Sequence, residues 1–253
     1  MPLVADKHEL RSGTVAPFTL AMFERATPGL FHFFGTRQGP QYGAPNAEPG
    51  TVRAAAPQFS KVLSVRQVHG TDALIIDRRV KVGEKFDAGW DAIITNQQGL
   101  LVTVRTADCV PVLLASPQQR VVAVVHAGWR GAVHGIVANT LDAMREKFRC
   151  TMDTIHMAVG PSAGRCCYEV DQAVIDPLQK NCSNWQAVLT LGDGGRGKLD
   201  LQGLVRQQAV AKGIKPDHVH VLALCTICRG DLFFSYRREG GVHGTMVSGI
   251  MLP

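Results

Sequence analysis

The sequence predicts an α+β fold built as a single domain over residues 1–253, and three observations support this interpretation. Short runs rich in β-branched residues recur between residues 61 and 125 and again near residue 220. The segment from residue 131 to residue 148 instead repeats its apolar residues at helical spacing. With 253 residues, of which 45% are hydrophobic, the chain is long enough to bury one continuous core.

A loop and a group of strands are predicted in the first part of the chain. Residues 36–57 are rich in Gly and Pro and lack periodicity, which indicates a long loop of a kind that is often functional. Residues 61–68 alternate as a strand does, with His69 at its end. The β-rich runs 91–95 and 100–104 are separated by Asn, two Gln and Gly, which predicts a hairpin.

Two further strands are predicted next, and each carries a reactive side chain at one end. Cys109 precedes the apolar run 110–115, and His126 follows the run 121–125. We therefore expect several strands to converge on these side chains.

An amphipathic helix is predicted after residue 131. Its apolar residues recur every three or four positions, with polar residues between them; they are Val133, Ile136, Val137, Leu141, Met144 and Phe148. Trp129, Arg130 and Gly131 lie at the start of this helix. Free backbone N–H groups and the positive end of the helix dipole favour an anion there.

The second half of the chain predicts a mixture of strands, loops and one more helix. Residues 154–159 predict a strand, and the glycine-rich stretch 192–198 predicts a flexible loop that lacks the Gly-Lys-Ser/Thr ending of a phosphate-binding loop. Residues 201–212 predict a helix, and residues 219–224 and 233–236 predict strands.

His69, Cys109 and His126 come from three separate predicted strand ends. Two imidazoles and one thiolate are the ligands of an open zinc site that leaves a fourth position for water or substrate. Each residue alone is more typical of a satisfied core position. Together they make an enzyme the leading hypothesis.

Cys109 and His126 also fit a different chemistry. A neighbouring imidazole lowers the pKa of a cysteine, and the resulting thiolate attacks an acyl or amidine carbon. This metal-free hydrolase or deamidase remains an alternative, and His69 favours the metal site. Asp108 beside the thiolate fits either a proton shuttle or a structural hydrogen-bonding role. Arg37 and Arg130 fit either phosphate binding or surface salt bridges.

The remaining cysteines and histidines argue against two further kinds of metal protein, one with a structural zinc site and one with several copper ions. Cys225 and Cys228 have zinc-knuckle spacing, but a structural site needs a second pair, and Cys166 and Cys167 are adjacent rather than spaced. We therefore expect reduced, buried thiols. A multicopper laccase would use on the order of ten histidines in repeated His-x-His pairs. This chain has nine histidines and one such pair, at residues 218–220.

Composition predicts a cytoplasmic protein. The amino terminus carries charges where a signal peptide needs an apolar stretch, and no apolar run approaches the roughly 20 residues of a membrane span. Seven cysteines without framework spacing fit a reducing compartment. The net charge of +6 is scattered and only 6% of residues are aromatic, so we expect neither nucleic-acid nor membrane partners. We expect a monomer or a weak homo-oligomer.

The chain resembles the YfiH-type laccase-domain family, also described as purine nucleoside phosphorylases and formerly as polyphenol oxidases. The motifs that carry the resemblance span nearly the whole chain: Phe34-Gly35-Thr36-Arg37, Gln67-Val68-His69-Gly70, Asp91-Ala92-Ile93-Ile94-Thr95, Thr106-Ala107-Asp108-Cys109, His126-Ala127-Gly128-Trp129-Arg130-Gly131, Gly160-Pro161, Cys166-Cys167-Tyr168-Glu169-Val170 and Phe234-Ser235-Tyr236-Arg237-Arg238.

The resemblance implies a layered, mixed β-sheet core flanked by helices, the CNF/YfiH-like cysteine hydrolase fold of deamidating bacterial toxins. It implies a zinc or copper ion on the residues that match His69, Cys109 and His126. The implied activity is phosphorolysis of adenosine, inosine and methylthioadenosine, with adenosine deamination in the same site; a copper-dependent phenol oxidase is a further alternative. The chain departs from the family pattern at Ser162, Arg165 and Ile227 and in a shorter stretch between residues 43 and 61. Such loop changes are expected to affect substrate choice.

Overall fold

The strands and helices of the protein form three layers. The structure, a computed structural model, describes residues 16–26, 28–39, 49–54 and 61–253. The strands are β1 Phe31–Phe34, β2 Arg53–Ala54, β3 Lys61–Ser64, β4 Ala73–Ile76, β5 Ala92–Thr95, β6 Leu100–Thr106, β7 Val110–Ser116, β8 Val121–Ala127, β9 His156–Val159, β10 Glu169–Val170, β11 Leu189–Leu191, β12 Gly197–Leu199, β13 Val219–Val221 and β14 Met246–Met251. The helices are α1 Ala21–Ala26, α2 Trp129–Val133, α3 Ile136–Phe148, α4 Gln172–Asn181, α5 Leu201–Ala211 and α6 Tyr236–Glu239.

Two large mixed sheets provide two of the layers. The five-stranded sheet has the order β1-β14-β6-β3-β2, and the six-stranded sheet has the order β13-β9-β7-β8-β5-β4. Most neighbours are antiparallel, but β3 pairs with β6, β4 with β5 and β9 with β13 in parallel. A small sheet of order β10-β12-β11 lies beside them. The predicted α+β class, with a layered mixed-sheet core and flanking helices, is therefore confirmed.

The core has two main parts, one on each face of the six-stranded sheet. Side chains from both large sheets, such as Leu63 and Leu113, form one buried cluster. On the other face, Val125 of β8 packs with Ile136 and Leu141 of α3 in a second cluster. Full burial of such a side chain contributes about 1.5–3 kcal/mol. The sheets are therefore held rigidly against each other and against the helices.

The parallel pairing of β3 and β6 determines where the predicted ligands lie. Leu63 is paired with Val102, so the carboxyl ends of both strands lie at the same edge of the five-stranded sheet. After each strand the chain crosses to the six-stranded sheet, once through His69 and once through Cys109. Both crossings therefore meet at one place between the sheets.

The predicted hairpin of residues 91–95 and 100–104 is wrong. β5 pairs with β4 and β8 in the six-stranded sheet, whereas β6 pairs with β3 and β14 in the five-stranded sheet. Both strands are almost wholly buried. Each is thus stabilised by a different pair of neighbours, and the Gly-containing connection is a crossing between layers.

Other strand predictions were partly right. The strand predicted over residues 61–68 ends at Ser64, so His69 lies in the connection rather than at the strand end. The strand predicted over residues 219–224 covers Val219–Val221. The strand predicted over residues 233–236 is wrong, because Ser235 caps helix α6 by accepting a hydrogen bond from the Arg238 amide.

The helix predictions were largely confirmed. The amphipathic segment after residue 131 forms α2 and α3, which are separated at Gly135 by a φ of 88°. The helix predicted over residues 201–212 is α5, and its cap Asp200 accepts a hydrogen bond from the Gly203 amide. The loop predicted over residues 192–198 is the connection of the β11–β12 hairpin, where Gly194 and Gly195 adopt positive φ values, but its last two residues belong to β12.

The predicted long loop over residues 36–57 lies partly outside the described residues, at 40–48 and 55–57. Its described part contains a turn that closes with the Thr36–Gly39 bridge and the short strand β2. No helix in the described ranges is long and apolar enough to cross a membrane. The extent of the domain over residues 1–253 stays a prediction.

Candidate active site

Asp91 organises the candidate site, although sequence reasoning gave it no role. Its side chain is completely buried directly before β5. The two carboxylate oxygens accept hydrogen bonds from the amides of Val68, His69 and Gly70 at 3.2, 3.0 and 2.6 Å. Its Oδ1 also lies 2.7 Å from Nδ1 of His126. Burial raises the pKa of Asp91, but these hydrogen bonds outweigh it and lower that pKa.

His69 adopts a left-handed backbone conformation, with φ of 59°. This conformation is uncommon for residues other than glycine. The Asp91 carboxylate holds it by capping three successive amides of the His69 segment. Nε2 of His69 lies 3.8 Å from Sγ of Cys109, and the His69 ring contacts the His126 ring edge-on at 4.8 Å between centroids.

Strand register brings Cys109 and His126 together. Val110 of β7 is opposite Ala127 of β8, so Cys109 lies just beyond the end of the pair, beside Gly128. Gly128 leaves the space for this packing, because a Cβ there would lie 2.6 Å from Cδ2 of His69 and 3.1 Å from Sγ of Cys109 and would displace them. The predicted ligands therefore converge as expected.

The three side chains fit a metal ion. Their ligand atoms all lie within 4.8 Å of one another. His126 uses Nδ1 for Asp91, which leaves Nε2 as its ligand atom and fixes the ring, as a carboxylate partner does for metal-bound histidines. The donor set of two imidazoles and one thiolate is that of open zinc sites. His69 is exposed and all three residues line the cavity, so an ion that they held would be accessible from it.

The charges of Cys109 and His126 are strongly linked. Burial raises the pKa of the Cys109 thiol, but the positive charge and hydrogen bond of His126 outweigh it and lower that pKa to about 6. Burial lowers the pKa of His126, but Cys109 and Asp91 outweigh it and raise that pKa to about 9. Without a metal the pair is therefore a thiolate and an imidazolium near neutral pH.

A cavity of about 690 Å³ opens over the cluster. This volume is typical of a pocket for a small molecule. Arginines and aromatic residues line it around His69, Cys109 and His126, and they are Arg66, Arg105, Arg130, Arg237, Trp129, Tyr168 and Tyr236. Tyr236 is 56% exposed and offers a flat apolar face to the cavity.

The two predicted phosphate-binding arginines have different positions. Arg130 lines the cavity, and its guanidinium lies 4.5 Å from the centre of the Trp129 ring. Arg37 is absent from the residues that line the cavity. Its guanidinium donates to the Gly230 carbonyl and lies over the Phe234 ring. Arg66, Arg105 and Arg237, which sequence reasoning did not select, line the cavity instead.

Asp108 is buried with its carboxylate fully engaged. Oδ1 accepts from Thr226 Oγ1 at 2.6 Å, and Oδ2 accepts from Ser235 Oγ at 3.0 Å and from the Arg237 amide at 2.7 Å. The Asp108 carbonyl accepts from the Ala163 amide. These contacts support the structural interpretation of Asp108 over the proton shuttle. Three donors hydrogen-bond its carboxylate, and together they fix the turn that presents Cys109.

The expectation of buried thiols at the remaining cysteine motifs is wrong. Cys166 and Cys228 are exposed, and Cys167 and Cys225 are partly exposed. Their four Sγ atoms all lie within 4.8 Å of one another. The spacing argument failed because it required both pairs to share one knuckle spacing, whereas adjacent cysteines in a tight turn also converge.

Residues 47–253 match the family described as multi-copper polyphenol oxidoreductase laccase. The protein named purine nucleoside phosphorylase YlmD, from Geobacillus stearothermophilus, is 32% identical over 192 residues, which cover 72% of this chain and 69% of that protein. The protein named adenosine deaminase RL5, from an unknown prokaryotic organism, is 35% identical over 191 residues, 73% of this chain and 72% of that protein. The crystal structure of hypothetical protein YfiH from Bacillus licheniformis is similar with a TM-score of 0.75 at 26% identity, covering 88% of this chain and 93% of that one. These findings confirm the predicted resemblance.

Proposed function

This chain belongs to the multi-copper polyphenol oxidoreductase laccase family, and we propose that it is a purine nucleoside phosphorylase that also deaminates adenosine. Its proposed substrates are adenosine, inosine and methylthioadenosine, with phosphate as the second substrate. Relatives named for each of the two activities are more than 30% identical to it, which supports an enzyme of this kind. The observation that carries the proposal is a cluster of His69, Cys109 and His126 at the base of a cavity lined by arginines.

The proposed metal is zinc, held by His69, Cys109 and His126. When bound, zinc supplies a Lewis acid that polarises an oxygen in its open position. Copper is the alternative ion, because two imidazoles and one thiolate also occur in copper sites that add a weak axial methionine. None of the described residues that line the cavity is a methionine, which favours zinc. The side-chain amide of Gln67 is not available in place of the axial methionine, since it forms hydrogen bonds with the backbone carbonyl and the backbone amide of Arg105.

Phosphorolysis forms a bond between a phosphate oxygen and C1′ of the ribose and breaks the bond from C1′ to the purine, which leaves with a proton. The lining arginines supply the positive charge that the phosphate needs, and one of them, Arg130, lies in the first turn of α2. Tyr236 provides an exposed ring on which a purine stacks. Deamination replaces the C6 amino group of adenosine by a water oxygen and releases ammonia.

Product analysis tests this proposal. We expect zinc-loaded protein to convert adenosine to adenine and ribose 1-phosphate only when phosphate is present, and to inosine and ammonia without it. Cys109→Ser removes the thiolate and abolishes both reactions. Cys182→Ser, at a cysteine outside the cavity lining, is the matched control and retains them. Failure of the zinc-loaded protein to form either set of products contradicts the proposal.

A metal-free cysteine hydrolase or deamidase is a second candidate, and one observation favours it. Cys109 contacts His126, and His126 contacts Asp91, as a nucleophile, its base and the group that orients the base do. Such an enzyme acts on an amide, for example of a peptidoglycan precursor or of a protein glutamine. His69→Ala discriminates between the candidates, because it removes a metal ligand but no member of this triad. Retention of activity in zinc-free His69→Ala protein identifies the hydrolase.

A further inference from the structure

Two loops of the protein each bring a pair of cysteines to one place, outside the His69 cluster. The loop after β9 carries Cys166 and Cys167, and the loop after β13 carries Cys225 and Cys228. Sγ of Cys228 lies 3.2 Å from Sγ of Cys167 and 3.6 Å from Sγ of Cys166. All four sulfurs lie within 4.8 Å of one another.

This spacing is that of a tetrahedral metal site. Sulfurs bound at about 2.3 Å from a zinc ion lie about 3.8 Å apart, and four cysteines are a common ligand set of structural zinc. Soft thiolate ligands also select zinc over the harder cations. Four cysteines would supply every ligand of such an ion, whereas the cluster at Cys109 has three candidate ligands.

The backbone around the cysteines leaves room for the sulfurs and donates a hydrogen bond to one of them. The amide of Gly164 donates to Sγ of Cys225 at 3.3 Å. A Cβ on Gly164 would lie 3.0 Å from Cβ of Cys225 and 3.4 Å from Sγ of Cys166, so glycine leaves room for the sulfurs. The Arg229 amide bonds the Cys225 carbonyl and closes the turn between the second pair. This turn has the spacing that a zinc knuckle requires.

Two cations are held on the backbone of the loops that carry the cluster. Lys198 Nζ donates to the Cys166 carbonyl at 3.0 Å. The Arg238 guanidinium donates to the carbonyls of Thr226 and Ile227, inside the turn between Cys225 and Cys228. Each loop of the cluster therefore has a cation fixed on its backbone.

We propose that Cys166, Cys167, Cys225 and Cys228 bind a structural zinc ion that fastens these two loops together. The loops already exchange backbone hydrogen bonds through Ser162, which donates to the Leu224 carbonyl and accepts from the Thr226 amide. Both loops also hold Asp108, through the Ala163 amide and the Thr226 hydroxyl. The zinc ion thus braces the turn that presents Cys109 to the cavity.

The test isolates this site from the one at Cys109. In His69→Ala/His126→Ala protein the other cluster loses two ligands, and we expect one zinc per chain by elemental analysis. X-ray absorption at the zinc edge should show only sulfur neighbours, at about 2.3 Å. Adding Cys228→Ser should remove this zinc, whereas adding Cys182→Ser, at a cysteine outside both clusters, should leave it in place.

Three results overturn the proposal. The double variant contains no zinc, its absorption spectrum shows nitrogen neighbours, or its mass is lower by two hydrogens for each disulfide, one or two, that these cysteines form. Iron in place of zinc overturns the assignment of the ion. If Cys228→Ser fails to fold, the visible absorption of the cobalt-loaded double variant tests the site instead, since cobalt bound by four thiolates has intense visible bands. The outcome is independent of any nucleoside activity, so the two proposals fail separately.

Discussion

At the scale of single residues, Asp91 sets the positions of two of the three ligands. It orients the His126 ring through Nδ1 and holds the strained His69 segment through three amides. A carboxylate can do this because it accepts on every side and donates nowhere. An amide at the same position has two donors that face other donors.

Asp91→Asn should therefore weaken metal binding by roughly 10- to 100-fold, the usual effect of losing the group that orients a ligand. The measurement is competition for zinc against a coloured chelator. Asp87→Asn, at an exposed aspartate, is the control and should bind zinc as the unchanged protein does. Equal zinc affinity in the two variants would show that Asp91 does not orient the ligands.

The three ligands were predictable from the sequence because each is a metal-binding residue type beside a β-rich run. Asp91 was not selected, although the sequence holds a signal: an acidic residue directly precedes the strand Ala92–Thr95, which is mostly apolar and wholly buried, where a charge is costly without hydrogen bonds. Arg37 was selected for its loop, but its partners Gly230 and Phe234 are distant in the chain. No local pattern reveals such partners.

At the scale of elements, the junction of β8 and α2 has to be tightly packed. Gly128 caps α2 and faces the side chains of His69 and Cys109. Its φ of −69° is open to any residue, so only the missing Cβ requires glycine here.

Gly128→Ala should displace His69 or Cys109, lower activity at least tenfold and leave only the zinc ion of the four-cysteine cluster, with the fold retained. Zinc per chain and circular dichroism measure the two effects. Gly192→Ala is the matched control, because a Cβ there lies no closer than 3.7 Å to the Arg196 carbonyl. Normal zinc binding by Gly128→Ala would show that the cluster tolerates the displacement.

The contact of α1 with β1 depends on a neutral histidine. Nε2 of the buried His32 accepts a hydrogen bond from the Leu20 amide, and Nδ1 has no partner among the described residues. Burial lowers the pKa of His32 to about 4. Between pH 6.5 and pH 4 the unfolded chain therefore binds a proton that the folded chain does not.

The free energy of unfolding should accordingly fall as pH decreases through this window, and it should be restored above pH 6.5. His32→Gln keeps an acceptor for the Leu20 amide but does not titrate. Urea unfolding of both proteins at pH 7 and pH 5 measures the difference, and the variant should lose less stability. An equal loss in the two proteins would mean that other groups cause the acid sensitivity.

Elements were predictable where their pattern is local. The apolar residues at every third or fourth position of α3 and the apolar runs of β7 and β8 identify those elements directly. The partners of β5 and β6 were not predictable, since a Gly-containing connection is equally suited to a hairpin and to a crossing between sheets. Which of them forms depends on partners such as β8 and β14, which lie far along the chain.

At the scale of the whole molecule, the site lies where the chain passes between two sheets. The parallel pairing of β3 and β6 places two crossings at one edge, and the register of β7 against β8 brings the third ligand to them. The sequence predicts the class of this fold from its elements, but this parallel pair joins strands that are separated by two strands of the other sheet. The convergence of the ligands was thus predictable as a hypothesis, and its geometry was not.

The charge of the whole molecule bears on the proposed phosphorolysis. The chain carries a net charge of +6, and four arginines line the cavity. Raising the ionic strength from about 0.01 M to about 0.15 M shortens the screening length from about 30 Å to about 8 Å. The attraction of anionic phosphate into the cavity should weaken accordingly, whereas neutral inosine is not affected by this field.

We therefore expect the KM for phosphate to rise severalfold over this range while the KM for inosine and kcat stay constant. Steady-state kinetics with each substrate varied in turn, in a salt whose ions do not bind zinc, measure all three. Arg130→Gln should raise the KM for phosphate and reduce its salt dependence, because one of the charges that produces the field is gone. Arg37→Gln removes the same charge outside the cavity lining and should change the KM for phosphate much less. A parallel rise in both KM values would instead indicate that salt perturbs the site itself, and would contradict phosphate binding by the arginines of the cavity.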